Sequence, residues 1–315
     1  MKTVDQMEAL AGITGPVVLA AGMFDGVHLG HIALLAEARR RAIALGGEAW
    51  VLTFADHPQR TLAPDRAPPL LTTPEQKCAL LAQHGMAGCL LLPFTKTLSR
   101  IEPEAFISLL QDSIPSLRGL VVGENWRFGH RARGDVQLLR KLGHPLGLEI
   151  IVPESVTWQG AVISSTRIRE AIAQGNMADA RAMLGRRPDY VGEVVHGLKR
   201  GRKLGFPTAN LDLHGILLPA PGIYAGWAMV EDSGRQPAAV YCPQAGREHP
   251  AAIEVHLLDG APDLYGKTLR LELVCRLRED TMRFDCEADL REQIRQDVQC
   301  VRRTLEQETD HAPHS

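Results

Sequence analysis

Long hydrophobic runs are missing from this sequence: no stretch approaches the roughly 20 apolar residues that cross a bilayer. The opening residues, Met1-Lys2-Thr3-Val4-Asp5-Gln6, do not read as an export signal. Net charge is nearly absent as well, at -2 over 315 residues, which removes any global attraction to nucleic acid or anionic membrane. Cysteine is sparse, and Cys78, Cys89, Cys242, Cys275, Cys286 and Cys300 never fall into a Cys-x-x-Cys pair. A zinc site is therefore not expected, and the thiols read as reduced and structural, in a cytoplasmic protein. Internal repeats and low-complexity segments are also missing. What is there is a hydrophobic fraction of 45%, enough for sizeable cores, and a length that allows two domains.

Up to Arg186 strand and helix patterns alternate. An unbroken apolar run over 17–21 reads as a buried strand. The helix after it carries a stripe at Ile32, Leu35, Ala36, Ala42 and Ile43 and stops at Gly46-Gly47. Strands are expected over 49–54, 89–92, 120–122 and 149–152, and helices over 74–83, 103–110, 136–142 and 164–173. Repeated βα units imply an α/β domain over 1–186, a doubly wound parallel sheet with ligands beyond the carboxyl ends of its strands. From residue 187 helices give way to short strands, expected over 190–195, 222–230, 238–241, 252–258 and 269–277. Their Gly/Pro-rich connections suggest that 187–315 forms a small antiparallel β-barrel. A last helix with Leu290, Ile294, Val298, Val301 and Leu305 on one face should close it, with a disordered tail from about Glu308.

Where the first buried strand turns into a helix stands Gly22-Met23-Phe24-Asp25-Gly26-Val27-His28-Leu29-Gly30-His31. Such a turn offers free N–H groups and the positive end of a helix dipole, which suits a phosphate chain. Glycines let the backbone approach a ligand, and histidines three apart can both donate to phosphate oxygens. By itself the stretch also reads as a glycine-rich turn with two surface histidines. A second phosphate candidate is Ser164-Ser165-Thr166-Arg167-Ile168-Arg169, with hydroxyls at a helix start and Arg169 one turn in, able to fork onto two oxygens. Alone it is an ordinary N-cap with solvated arginines. In Gly123-Glu124-Asn125-Trp126-Arg127-Phe128-Gly129, Asn125 can hydrogen-bond, and Trp126 and Phe128 can cover a flat ring or simply pack. His57, in Asp56-His57-Pro58, reads as a structural loop histidine.

The later half has its own candidates. Gly201-Arg202-Lys203-Leu204-Gly205-Phe206-Pro207 suits a flexible phosphate loop, and Thr208 and Asn210 bring neutral oxygens for a magnesium–phosphate complex. The same residues also read as a solvated basic hairpin loop. Alternation over 253–258 puts Ile253, Val255 and Leu257 on one face and Glu254 and His256 on the other. A Glu254 carboxylate directed into a barrel mouth can accept a proton from an alcohol, although alone it reads as an exposed strand residue.

His28 and His31 together with Ile163-Ser164-Ser165-Thr166-Arg167-Ile168-Arg169 resemble the His-x-Gly-His nucleotidyltransferases, whose second signature is Ile-Ser-Ser-Thr-x-x-Arg. Adding Gly205 to Asn210, Pro221-Gly222-Ile223-Tyr224-Ala225, Glu254-Val255-His256 and Leu264-Tyr265-Gly266, nearly the whole chain resembles the bacterial bifunctional riboflavin kinase/FMN adenylyltransferases, or FAD synthetases. The resemblance implies phosphorylation of riboflavin to FMN in the barrel and transfer of AMP from ATP to FMN in the first domain, giving FAD and pyrophosphate. It implies His28, His31 and Arg169 on the phosphates of ATP, with Gly22, Phe24, Asp25, Gly26, Asn125, Arg127, Ser164, Ser165 and Thr166 around them. In the barrel it implies Glu254 as general base, Gly201, Arg202, Gly205 and Pro207 around the nucleotide, and Thr208 and Asn210 on Mg2+ or another divalent cation. The segment bearing Phe284, Leu290 and Asp297 resembles the one bordering the flavin. Partners are riboflavin, FMN, FAD and ATP, with no nucleic acid or membrane. One segment departs: Tyr241-Cys242-Pro243-Gln244-Ala245-Gly246-Arg247 replaces the family's Asn-x-Gly-x-x-Pro-Thr. Asp56 likewise replaces a proline. An adenylyltransferase with a degenerate, flavin-binding barrel is the alternative, and a flavin- or nucleotide-binding regulator is a third reading. A nucleotidyltransferase for another acceptor would leave the barrel unexplained.

Overall fold

A strand buried on both faces must be apolar at every position, and the run ahead of the glycine-rich turn meets that condition with all five residues buried. It is the second of six strands: β1 (Lys2–Val4), β2 (Val17–Ala21), β3 (Glu48–Phe54), β4 (Gly88–Leu92), β5 (Leu117–Val122) and β6 (Glu149–Ile151). All pair in parallel, in the order β1-β4-β3-β2-β5-β6. The computed structural model describes residues 1–197, 200–213, 215–230, 234–244, 252–260 and 262–310. The chain divides into two compact units, Met1–Ser165 and Thr166–Ser315.

In the first unit the connecting helices are α1 (Leu29–Ala44), α2 (Pro58–Leu62), α3 (Pro74–Gln83), α4 (Pro103–Ser113) and α5 (Val136–Gly143). Alternate residues of β2 feed two cores. Val17, Leu19 and Ala21 pack with Phe106, Ile107 and Leu110 of α4 and Leu139 of α5. Val18 and Ala20 pack with Leu35, Ala38 and Ala42 of α1 and Leu80 and Leu81 of α3. The sheet is thus doubly wound, as expected. The buried stripe of α1 differs in detail. Ala36 is exposed and Ile43 is 66% exposed, while Ala38 is buried. The i, i+3, i+7 line through Leu35, Ala38 and Ala42 faces the sheet, and positions 36 and 43 fall on its flank. Strand order reverses between β2 and β5, and both the turn at Gly22 and the turn at Gly123 leave from that switch point. A short hairpin, β7 (Thr157–Trp158) and β8 (Ala161–Val162), turns at Gln159 and Gly160, whose φ values of 51° and 74° suit a type I′ turn.

The second unit opens within α6 (Ser165–Ala173), continues through α7 (Met177–Leu184), and then forms a closed barrel. Its strands are β9 (Asp189–Val195), β10 (Ala209–Asp212), β11 (Gly222–Val230), β12 (Gly234–Cys242), β13 (Ala252–Leu257) and β14 (Thr268–Glu279). Every neighbouring pair is antiparallel, in the order β10-β13-β12-β11-β14-β9. Tyr190, Val194, Leu211, Tyr224, Val240, Ile253, Val255, Leu271 and Leu273 are buried in it. A single helical turn, α8 (Arg200–Leu204), interrupts a stretch expected to lack helices. α9 (Glu287–Asp310) lies on the barrel, with Val301 and Leu305 buried against Ala225, Trp227, Ala239 and Leu277. The disordered tail expected from Glu308 is instead helix through Asp310. The Glu308 carboxylate accepts from Arg187 Nη2 at 2.7 Å, Arg181 Nη1 at 3.1 Å and Trp227 Nε1 at 3.3 Å. Residues 311–315 lie outside the described residues.

Candidate active sites

The turn after β2 is a strained backbone fixed from below. Phe24 (φ 50°) and Val27 (φ 37°) occupy the left-handed region with Gly26 (φ 81°). Both side chains are fully buried beneath α1 and α3, an anchorage able to hold residues whose conformation costs about 1–3 kcal/mol each. Asp25, 1% exposed, accepts from the N–H groups of Leu71 at 3.0 Å and Thr72 at 3.1 Å and from Thr72 Oγ1 at 3.3 Å. The Gly26 N–H donates to Thr72 Oγ1 at 3.1 Å. The Asp25 carboxylate is therefore engaged with the protein's own chain.

Lys77 completes this support, and it went unnoticed in the sequence. Its Nζ donates to Phe54 O at 2.6 Å and Met23 O at 3.2 Å, joining the turn to the end of β3. The signal was present: 77, 80 and 81 share one face of α3, and that face is buried. Burial pushes the Lys77 ammonium pKa down, against the pull of Asp25.

His28 caps α1, its Nδ1 accepting the His31 N–H at 3.3 Å. With Nδ1 an acceptor, the neutral ring carries its proton on Nε2, as a donor. The two imidazoles stack, with centroids 3.6 Å apart and planes 17° apart, and Phe24 lies 5.0 Å from His31. A side chain at Gly30 would come within 3.1 Å of the His28 ring, so glycine there lets the ring seat. Burial, then the charges of His28 and Lys77, drive the His31 pKa well below its ordinary value. Ser165 Oγ donates to Asp25 O at 3.0 Å, which brings the serine pair Ser164-Ser165 to the turn. Thr166, Arg167 and Arg169 follow on α6, in the second unit.

Beyond the ends of β5 and β6 lies a cavity of about 580 Å³ lined by Asn125, Arg127, Arg140, Pro153 and Glu154. Asn125 and Arg127 are exposed there, and Arg127 pairs with Asp135 at 3.4 Å. Trp126 and Phe128 do not offer themselves as a ring cover. They stack on each other at 4.8 Å, and Phe128, 6% exposed, packs against Phe106. His57 N-caps α2 by accepting the Gln59 N–H, the structural role expected of it.

In the second unit Glu254 faces outward, not into the barrel mouth. Ile253, Val255 and Leu257 take the interior, so alternation sends Glu254 and His256 to the outer surface. Thr208 Oγ1 donates to Glu254 Oε2 at 3.2 Å, and Asn210 is the cross-strand partner of Glu254. His256 Nδ1 hydrogen-bonds Pro207 O at 2.8 Å, fixing the chain just ahead of Thr208. Two glycines wrap this group: a side chain at Gly197 would collide with the Asn210 amide, and one at Gly201 with Phe206 O, within 3.2 Å of Thr208 Oγ1. Gly205, at φ 89°, ends α8. Arg202, Pro207, Thr208, Leu264 and Tyr265 line an adjoining cavity of about 250 Å³. Tyr265 lies 4.0 Å from the His196 ring. Of the departing segment, Tyr241 to Gln244 are in place, and 245–247 lie outside the described residues.

Among the described residues no group of three His, Cys, Asp or Glu side chains can hold a metal ion. The hydroxyl of Thr208 and the amide of Asn210 beside one carboxylate suit a cation carried mainly by substrate phosphates and water, which is how magnesium binds.

Residues 12–167 match the FAD synthetase family and residues 184–305 the riboflavin kinase family. The bifunctional riboflavin kinase/FMN adenylyltransferase of Escherichia coli K12 is 36% identical over 288 residues, spanning 89% of this chain and 90% of the relative. That of Pseudomonas fluorescens is 34% identical over 294 residues, spanning 90% and 92%. A solved structure from Streptococcus pneumoniae, described as a macrolide-efflux protein, superposes with a TM-score of 0.85 at 28% identity, over 96% of this chain and 99% of that one. The chain belongs to the bifunctional riboflavin kinase/FMN adenylyltransferase family.

Proposed function

We propose that this enzyme makes FAD from riboflavin in two ATP-dependent steps, with the functional division at Arg186. In the first step the riboflavin 5′-hydroxyl attacks the γ-phosphorus of ATP, its proton passes to Glu254, and ADP leaves. In the second an FMN phosphate oxygen attacks the α-phosphorus of ATP, and pyrophosphate leaves. Neither step needs a covalent enzyme intermediate, so catalysis is placement and stabilisation of charge.

For adenylyl transfer the supporting observation is the His28–His31 pair at the N-terminus of α1. The Nε2–H of His28, Ser164, Ser165 and the N–H groups of the turn hold the phosphates. Asn125 and Arg127 contact the nucleotide or the incoming flavin. Gly22, Phe24, Asp25 and Gly26 shape the turn, with Asp25 acting through the backbone it ties. For the kinase the supporting observation is the Thr208–Glu254 hydrogen bond beside Asn210. Thr208 and Asn210 hold the magnesium–phosphate group, while Gly201, Arg202, Gly205 and Pro207 shape the loop around the nucleotide. When bound, the cation neutralises charge on the phosphates. The six free thiols suit a reducing compartment, the cytoplasm.

Incubation with riboflavin, ATP and magnesium, followed by chromatographic separation of flavins, yields FMN and FAD. His28→Ala abolishes FAD formation from FMN and spares FMN formation, and Glu254→Ala does the reverse. Formation of FAD from FMN with no product from riboflavin overturns the dual assignment and leaves an adenylyltransferase with an inactive barrel.

A further inference from the structure

The register of the barrel sets five residues in one row. Asn210 on β10 pairs with Glu254 on β13, Glu254 with Tyr241 on β12, Tyr241 with Ile223 on β11, and Ile223 with Arg278 on β14. Cross-strand partners project from the same face, so the outer surface carries Asn210, Glu254, Tyr241, Ile223 and Arg278 in that order. The two ends of the row differ. At one end the Gly197 backbone crowds Asn210, and Thr208, with Gly201 against it, donates to Glu254. At the other, Arg278 grips Asp297 of α9 through Nε at 2.9 Å and Nη2 at 2.7 Å, and Gln293 donates to the same carboxylate at 3.0 Å.

Tyr241 stands between these ends, half-buried. Its hydroxyl donates to Asp280 Oδ2 at 3.0 Å, just past the end of β14. That bond fixes the ring beside its cross-strand partner Glu254. Tyr241 also opens the segment Tyr241-Cys242-Pro243-Gln244 that departs from the resemblance.

Phosphoryl transfer in line places the acceptor oxygen and the departing ADP on opposite sides of the transferred group. If Thr208 and Asn210 hold the phosphates, the acceptor hydroxyl meets Glu254 from the opposite side, and Tyr241 borders that side. We infer that Tyr241, oriented by Asp280, is an acceptor-binding residue of the kinase: its ring forms the wall along which the ribityl chain of riboflavin reaches Glu254. The inference rests on the roles proposed above for Thr208, Asn210 and Glu254.

The test is steady-state kinase kinetics on the full chain, with riboflavin and ATP varied in turn, for Tyr241→Ala, Tyr241→Phe and Glu254→Gln. Tyr241→Ala raises the riboflavin KM about tenfold, the factor that about 1.4 kcal/mol supplies. The ATP KM stays unchanged, and so does FAD formation from FMN. Tyr241→Phe keeps the ring and the packing of the barrel, loses only the hydroxyl, and gives a smaller rise in the same constant. An unchanged riboflavin KM in Tyr241→Phe and Tyr241→Ala, or an equal rise for ATP, overturns the inference when Glu254→Gln is inactive. Should Tyr241→Ala fail to fold, Tyr241→Phe decides alone by the same two constants. Full kinase activity in Glu254→Gln instead overturns the assignment of the base on which the inference stands.

Discussion

At the scale of single residues, the turn after β2 engages its charged groups internally. A buried ammonium costs several kcal/mol unless it is well solvated by protein groups, and Lys77 meets that cost with two carbonyl oxygens, one of them in the turn itself. Its charge then falls on His31, which burial already disfavours as a cation. The consequence for folding has a definite sign. Below the ordinary value of 6.5 the unfolded His31 ring takes up a proton, while the folded ring does so only at a pH well below that. The unfolded state therefore binds more protons in that window, and stability falls as pH drops from 6.5 toward the folded pKa. Urea titrations of the full chain at pH 7.5 and pH 5.5 should show the midpoint falling with acid, and falling less in His31→Leu. An equal fall in the two proteins would mean that the His31 ring is charged in the folded state.

Elements were legible where their end signals were strong. α3 begins where the sequence places it because Thr73 and Gln76 form a capping box that spans Pro74. β11 likewise runs as expected, from its Pro-Gly start to Val230. β1 was missed because it is a three-residue edge strand with Lys2 and Thr3 exposed, so it carries no burial pattern. β10 follows directly on the stretch read as a phosphate loop and is only four residues long, and α7 is short and largely Ala and Met, although Asn176 and Gly185 cap it. For Glu254 the alternation was legible but not the side: period-two patterning separates two faces, and only closure of the barrel says which is inside. Trp126 and Phe128 left two readings open in the same way, since an aromatic at a strand end packs or presents itself according to its neighbours. The end of α9 was misread because polar residues beyond Leu305 suggested solvent, whereas Glu308 is held by two arginines and an indole. Its carboxylate is partly screened, with 18% side-chain exposure. Glu308→Ala should destabilise the barrel unit by about 1–2 kcal/mol and speed amide exchange in the last turns of α9. Unchanged exchange there would make the arginine cluster decorative.

At the scale of the whole molecule, both sites follow one economy of means. Each puts a short glycine-bearing turn beside a strand end and supports it with hydrogen bonds, buried in the sheet unit and half-buried in the barrel. The two sets of supporting contacts are distinct: Asp25, Thr72 and Lys77 serve the sheet unit, and Pro207, His256 and Glu254 serve the barrel. Loss of chemistry at one site should then leave the other folded and active, and FMN released by one molecule should serve another. An equimolar mixture of His28→Ala and Glu254→Ala, given riboflavin, ATP and magnesium, should form FAD although neither variant alone does. Because the intermediate must cross solution, free FMN should rise first and FAD should follow after a lag that shortens as Glu254→Ala is added in excess. FMN accumulating without FAD in the mixture, with Glu254→Ala active on added FMN, would mean that FMN made in the barrel stays bound there. In that case the native reaction would depend on both steps occurring in one chain.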